Sequence, residues 1–368
     1  MASTTPSATA SEPAPRIVHV GTRNSKLALR QAETVVAALE QANPGVRFVI
    51  DARETAGDRD KTTPLPILGK GLWTSEFEAR LVAGDLDLVV HSAKDMPTTL
   101  PAGCLFGATL PREDPRDVVV FAPDHARPSA STTLADLPVG SIVGTSSVRR
   151  AAQLRRRYPH LAFQDLRGNI DTRLRKLDTP EAFAPASGGA PVRYDCIVLA
   201  AAGLKRMGLD GRIAHYLDAA TSGTLYAVGQ GALGLEVRAD DADTLALLQR
   251  VTHTPTMLAC LAERAVMRTL EGGCSVPIGV ETTWGGDDGD NNDKSDRKRP
   301  LRLQATVVSL DGQTGVDADV TAVVTTAEEA EALGLRAAQD LIDRGAQSIL
   351  DEINKTRLPV GAPVGAPA

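Results

Sequence analysis

Short apolar runs that alternate with segments of helical period constrain this chain of 368 residues more than any other feature. Arg16 to Thr22 (RIVHVGT) has strand character. Asn24 or Ser25 then caps a helix on which Leu29, Ala32, Val36 and Leu39 recur at helical spacing. Arg47–Ile50 continues as a strand, Ser75–Val82 as a helix, and Leu86–Val90 as a short apolar strand that ends at His91. Strands alternating with helices give an α/β domain with a largely parallel sheet, whose ligands gather beyond the carboxyl ends of the strands. Gly21–Ser25 and His91–Pro97 are the first two such ends.

A second α/β unit follows the turn-rich stretch Pro111–Pro115. Ser141–Val143 is a strand, Thr145–Ser147 offers caps for a helix from Val148, and Leu161–Phe163 and Cys196–Ala200 are further strands. Between them, residues 179–191 are rich in Ala, Gly, Ser and Pro and form a loop insertion. A third region starts near Asp240. Thr256–Leu270 has helical pattern, Leu301–Ser309 and Val316–Thr325 alternate like antiparallel strands, and Ala327–Asp343 is a final helix. Gly285–Arg299 holds no apolar residue and reads as a mobile loop; residues 1–15 and 358–368 read as disordered tails. A chain of this length needs two or three domains.

Composition narrows the classes. Apolar residues at 42% and charged residues at 23% are ordinary for a globular protein. No apolar run reaches the roughly 18 residues of a membrane helix. The first fifteen residues carry neither the basic start nor the apolar centre of a targeting peptide, so a cytoplasmic protein is expected. Four cysteines (Cys104, Cys196, Cys260, Cys274) include no C-x-x-C pair, which disfavours structural zinc; no metal is expected. The net charge of −6 and 3% aromatics leave nucleic acid and anionic membranes as poor partners.

That average hides a basic cluster. Residues 149–176 hold nine Lys/Arg against Asp165 and Asp171. Arginine forks match carboxylate oxygens in bidentate fashion. Arg149 and Arg150 lie in a first helical turn, where cations oppose the helix dipole unless an anion compensates them. Arg155–Arg157 read as a solvated helix face. A second cluster, His91-Ser92-Ala93-Lys94-Asp95-Met96-Pro97, places an acid, a base and a hydroxyl just past an apolar strand. A carboxylate there stabilises a cation or moves protons, or is half of an Asp–Lys surface pair. In Glu271-Gly272-Gly273-Cys274-Ser275-Val276-Pro277 two glycines leave a thiol approachable; the alternative is a small buried hydrophobe. Gly229-Gln230-Gly231-Ala232-Leu233-Gly234 spells G-x-G-x-x-G, but extended sequence follows and no acid stands about 20 positions on. These glycines mark a tight crossing between domains instead.

Together these segments resemble the porphobilinogen deaminase (hydroxymethylbilane synthase) family from about Arg16 to about Gly279, more weakly beyond. The resemblance rests on GTRNS (21–25), GKGLW (69–73), HSAKDMP (91–97), REDPRD (112–117), GTSSVRR (144–150), LRGN (166–169), TRL (172–174), GLKRMGL (203–209), AVGQGA (227–232) and EGGCSVPIG (271–279), in the family's order. It implies an α/β fold of three domains. Two are lobes of the type II periplasmic-binding-protein kind, 16–112 with 217–236 and 113–216. The third, 237–357, is a smaller α+β domain with an antiparallel sheet. The implied activity is head-to-tail condensation of four porphobilinogen molecules into a linear tetrapyrrole, with release of ammonia, on a covalent dipyrromethane.

By motif position, Cys274 carries that cofactor through a thioether and Asp95 is the catalytic carboxylate. Loss of ammonia leaves a cationic azafulvene, and a fixed anion beneath it lowers the barrier. Lys94, Asp95, Thr145, Ser146, Ser147, Arg149 and Arg150 are implied to hold the cofactor, and Arg23, Ser25, Arg167, Arg173 and Arg206 the substrate's acetate and propionate groups. The resemblance also implies a monomer that hands its product to a uroporphyrinogen-III synthase. Trp73 stands where the family usually has Phe, which puts the motion of a lid over the cleft in question. The 179–191 and 285–299 insertions lie outside the motifs and are expected to matter little to chemistry. Two rival readings are a non-enzymatic anion-binding protein, which leaves Cys274 unexplained, and nucleic-acid binding through 149–176, which the acidic remainder opposes.

Overall fold

The structure, a computed structural model, describes residues 15–55, 57, 73–123, 132–185, 189–270, 276–286 and 299–356. Strands are numbered in chain order. The first lobe holds β1 (Arg16–Arg23), β2 (Val46–Arg53), β3 (Leu88–Ser92), β4 (Cys104–Thr109) and β10 (Leu233–Arg238), in the order β2-β1-β3-β10-β4. The second holds β5 (Asp117–Phe121), β6 (Ile142–Gly144), β7 (Ala162–Gln164), β8 (Cys196–Ala200) and β9 (His215–Leu217), in the order β7-β6-β8-β5-β9. β1 runs parallel to β2 and β3, while β10 is antiparallel to β3 and β4. β5 is likewise antiparallel to β8 and β9. Each lobe therefore takes its one antiparallel strand from chain that has just crossed over, which is the expected type II arrangement. The third domain is an antiparallel sheet of β11 (Ile278–Trp284), β12 (Pro300–Val308) and β13 (Gly315–Val323).

Burial explains the elements. Val18 and Val20 alternate inward along β1, and Leu88 and Val90 along β3, all within one core. The helix Lys26–Ala42 covers that core with Ala28, Ala32, Val35 and Leu39. Ala32 and Leu39 are buried as expected, while Ala28 and Val35 stand in for Leu29 and Val36, with Val36 packed at the edge. Ser25, not Asn24, is its cap: Ser25 Oγ accepts a hydrogen bond from the Ala28 N–H at 3.3 Å.

The first lobe keeps more of the chain than residue 236. β10 runs to Arg238, and the next helix, Ala242–Gln249, adds Leu247 and Leu248 to the same core. The crossing before β10 is tight, as its glycines imply. Gly231 has φ +86°, and a Cβ there would stand 2.2 Å from the Glu113 carbonyl oxygen. Gly229, at φ +71°, would place one 3.1 Å from Lys94 N.

Two readings are corrected. Ala327–Asp343 is not the final helix: after Gly345 at φ +101° a helix restarts over Ala346–Thr356 and adds Ile349, Leu350 and Ile353 to the third domain's core. Nor are Arg155 and Arg156 simply a solvated face. Arg155 Nη1 donates to the Leu310 carbonyl at 2.8 Å, and Arg156 forks onto Asp317 at 3.2 and 3.1 Å. Both partners belong to the third domain. Gly312 allows the contact, since a Cβ there would lie 2.6 Å from Arg156 N. Arg157 is exposed. The 179–191 insertion opens with a short 3-10 turn, Pro180–Phe183. Residues 287–298 of the later loop, and both terminal tails, lie outside the described residues.

Candidate active site

The first lobe contributes two strand ends. β1 finishes at Arg23, and β3 passes through Ser92 into a 3-10 turn, Ala93–Asp95. Between them lies a crevice lined by Arg23, Gln31, Trp73, His91, Ser92 and Asp95, among others. Gln31 Nε2 donates to Ser92 Oγ at 2.9 Å and ties the first helix to the Asp95 turn. The Arg23 guanidinium sits 4.2 Å above the Trp73 ring, so the aromatic at this position holds an arginine at the crevice mouth. Sequence reasoning missed Gln31, whose signal was a polar side chain on the buried stripe of the first helix, beside Ala28, Ala32 and Val35.

Lys94 Nζ donates to Gln230 Oε1 at 3.4 Å, across the crossing. Burial, with the Arg150 charge beside it, pushes the Lys94 ammonium down to about 8. On the second lobe the three hydroxyls serve the backbone around the helix Val148–Arg157. Ser147 caps it, Thr145 Oγ1 accepts from Ser147 N at 3.2 Å, and Ser146 Oγ donates to the Leu166 carbonyl at 2.6 Å.

Arg149 and Arg150 find their compensating anion within the protein. Arg149 Nη1 donates to Asp117 Oδ2 at 2.8 Å, and Arg150 Nε and Nη2 donate to Asp117 Oδ1 at 3.0 and 2.7 Å. Gln230 Nε2 adds a bond to Asp117 Oδ1 at 2.8 Å. Burial alone would raise the Asp117 carboxyl, but the two guanidinium groups outweigh it and hold it well below its ordinary value. Its sequence signal was an acid leading straight into the apolar run Val118–Phe121.

Asp117→Asn is expected to destabilise the fold by about 3–5 kcal/mol, because it strands two buried guanidinium groups. Chemical unfolding measures the loss. The depressed carboxyl stabilises the fold above its ordinary value of 3.8, and that stabilisation is lost on acidification below it. The stability of the variant is therefore flatter with pH on the acid side; an unchanged midpoint and profile would remove Asp117 from this role.

Arg173 Nε donates to the Gly168 carbonyl at 2.7 Å. Burial and the neighbouring Arg150 push it down to about 10, with Arg167 adding to the repulsion and Asp165 and Asp95 opposing it. The structure thus brings Arg173, Arg150, Arg167 and Asp95 into one electrostatic neighbourhood. Lys176 Nζ donates to the Arg167 carbonyl at 3.2 Å. Arg206 Nη2 donates to the Gly231 carbonyl at 2.7 Å, so it also fastens the crossing. At the rim Lys26 and Asp171 pair across the lobes at 3.2 Å.

The third domain is tied to this site by residues the sequence reading passed over. Glu263, fully buried, accepts from Arg112 Nη1 at 2.6 Å, Arg112 Nη2 at 3.0 Å, Gly229 N at 2.8 Å and Thr282 Oγ1 at 2.7 Å. One carboxylate thereby joins both crossings to the third domain. Arg264, on the same helix Thr254–Thr269, donates to the carbonyls of Pro97 and Thr98 at 2.6 and 3.3 Å, just past Asp95. Cys274 and its neighbours 271–275, which follow this helix, lie outside the described residues. Among the described residues no three His, Cys, Asp or Glu group to hold a metal, and no helix is long and apolar enough to cross a membrane.

Residues 18–246 match the porphobilinogen deaminase dipyromethane cofactor binding domain, and residues 257–343 match the porphobilinogen deaminase C-terminal domain. The porphobilinogen deaminase of Neurospora crassa is 55% identical over 347 residues, 94% of this chain and 96% of its own. The chain belongs to the porphobilinogen deaminase family. The Saccharomyces cerevisiae member is 44% identical over 351 residues, 94% of this chain and 99% of its own. The Synechococcus elongatus member is 45% identical over 345 residues, 94% of this chain and 98% of its own. Among solved structures, the BvgS VFT2 domain of Bordetella pertussis overlaps 67% of this chain and 93% of its own, with a TM-score of 0.36 and 15% identity. The chain is accordingly a transferase of tetrapyrrole biosynthesis, a hydroxymethylbilane synthase that uses a dipyrromethane cofactor.

Proposed function

We propose that the cleft around Asp95 is where porphobilinogen units are joined, and that Cys274 holds the dipyrromethane there through a thioether. The observation that carries this reading is the set of crowded cations around Asp95. Lys94 and Arg173 hold their protons less firmly than usual, at about 8 and about 10, because they are buried close to Arg150. A ligand bearing several carboxylates relieves that crowding, so the residues present fit the cofactor and the substrate alike. When bound, the cofactor supplies the primer pyrrole that receives the first unit.

The side chains divide the work. Arg23, Arg167, Arg173 and Arg206 bind the acetates and propionates of incoming units, with Ser25 at the start of the first helix. Lys94, Arg149, Arg150 and the Thr145–Ser147 turn hold the cofactor's carboxylates; Arg149 and Arg150 do so while braced by Asp117. Asp95 faces the positive charge that develops as ammonia leaves, and takes the proton that the attacking ring carbon loses.

The division into 16–112 with 217–236, 113–216 and 237–357 is part of the proposal, amended so that the end of β10 and the helix Ala242–Gln249 go with the first lobe whose core they join. A monomeric enzyme is part of the same proposal. The free thiols Cys104, Cys196 and Cys260 suit the reducing cytoplasm. The linear product passes to a uroporphyrinogen-III synthase.

The test uses purified protein, porphobilinogen and its dimethyl ester. Porphobilinogen is consumed with one ammonia released per unit, and the ester, which cannot engage the arginines, is turned over at least about tenfold less efficiently. No ammonia from porphobilinogen would overturn the reading. Equal use of the ester would remove the arginines from it.

A further inference from the structure

The floor of the crevice contains titratable groups that the roles above leave idle. His91 stands where β3 enters the Asp95 turn and shares the crevice wall with Arg23, Trp73 and Asp95. Its Nε2 lies 3.0 Å from Glu236 Oε2, and the two side chains are 4% and 0% exposed. Glu236 arrives on β10, the strand delivered by the second crossing. A second buried carboxylate, Glu78, comes from the helix Ser75–Val82. Burial raises its proton affinity, with the Thr74 side chain opposing; the Glu236 charge adds to the rise and the His91 charge opposes it. Neither Glu78 Oε1 nor Glu236 Oε1 has a hydrogen-bond partner. The other groups near this cluster are Cys104 on β4, which feels both carboxylates, and Arg264 of the third domain, which feels Glu236.

Ionising two carboxylates away from water is costly, and the one imidazole touches only Glu236, at 3.0 Å, while it acts on Glu78 from farther off. Such groups share protons as a unit. A unit of this kind four residues from Asp95, on the same wall, is a place to keep a proton between two chemical steps.

We propose that His91 and Glu236 hold the proton that Asp95 must shed between joining one unit and releasing the next ammonia. The inference rests on the deaminase reading. In each condensation one C–N bond and one C–H bond break and one C–C bond forms. The ring-carbon proton passes to Asp95 and then to the pair, and returns by way of Asp95 to the departing amine. Ammonium leaves, and the pair ends each cycle as it began. His91 is in these terms a positioning residue for the proton and does not touch the reacting carbon. A strap joining β10 to β3 is the alternative.

The test compares holoenzymes of wild type, Glu236→Gln and His91→Gln by intact mass, unfolding midpoint and the pH dependence of kcat, with ring-nitrogen NMR of His91. Both variants keep the cofactor mass and KM. Each lowers kcat roughly tenfold near neutrality and moves one limb of its pH profile by about one unit, and the double variant is no worse than either. The His91 ring signals of wild type report a change of protonation that Glu236→Gln displaces. Profiles that superimpose on wild type after scaling, or His91 signals unmoved by Glu236→Gln, would overturn the proposal while leaving the deaminase reading intact. If a variant unfolds, the wild-type NMR titration decides alone: a ring whose protonation stays fixed throughout overturns it. Wild type that releases no ammonia from porphobilinogen fails the deaminase reading instead.

Discussion

Cys274→Ala is expected to remove the entire mass excess of the purified protein over its 38.7 kDa sequence, two linked pyrrole units, and all turnover with it. The thiolate is the nucleophile of a cysteine, so what competes for the cofactor is the set of accessible, ionisable thiols. Three of the four cysteines compete poorly. Burial pushes the Cys260 thiol up to about 12, and raises Cys196 and Cys104 too, with Glu236 and Glu78 adding to the effect at Cys104. Cys196 and Cys260 have no exposed side chain to offer. The remaining thiol stands between Gly273 and Ser275, directly after the helix that braces the Asp95 loop through Arg264. Alanine at 104, 196 or 260 therefore leaves the mass excess in place. Intact-mass spectrometry reads each case, and an excess that survives Cys274→Ala would move the attachment elsewhere.

The lobes were legible because their strands are short, apolar and punctuated. Cys196–Ala200, Ser75–Val82 and the start of the helix at Val148 fall where the sequence places them. β4 and β5 were not legible as strands, and β10 showed only as extended sequence after Gly234; these are the strands around the two antiparallel insertions. β4 and β10 pair with each other across more than a hundred residues, and β5 takes its neighbours from segments well downstream. A strand of this type has no local turn to announce it. The helix Ala346–Thr356 escaped for the opposite reason: a single glycine separates it from the helix before, and a stop signal was read as an end.

Within the site, the cations were visible and their counter-charges were not. A run of arginines stands out in any window, whereas Asp117 and Glu263 are single acids in unremarkable contexts. Each becomes meaningful only when folding brings Arg149 and Arg150, or Arg112, onto it. Arg155 and Arg156 show the same limit from the other side, since their partners are a carbonyl and an acid of the third domain. Spacing reveals which residues share a face; it is silent on what that face meets.

Asp95→Asn is expected to leave the fold and the cofactor mass unchanged and to lower kcat by roughly 10²–10⁴-fold with little change in KM. The substitution keeps the size and planar shape of the side chain, so the turn Ala93–Asp95 and its link from Met96 N to the Ala93 carbonyl at 3.3 Å are undisturbed. What goes is a negative charge in a neighbourhood that holds Lys94, Arg150 and Arg173. Those cations bind carboxylates equally well in the ground and transition states, which is why KM is spared. They also oppose any new positive charge on the substrate, so the charge that develops as ammonia departs then meets repulsion alone. Asp95→Glu keeps the charge but moves it by a methylene, and it falls between the two because electrostatic stabilisation depends on a fixed distance. Steady-state rates on intact holoenzyme, matched by mass for cofactor content, separate these outcomes. Asn at wild-type speed would place the proton transfer and the cation stabilisation on some other group.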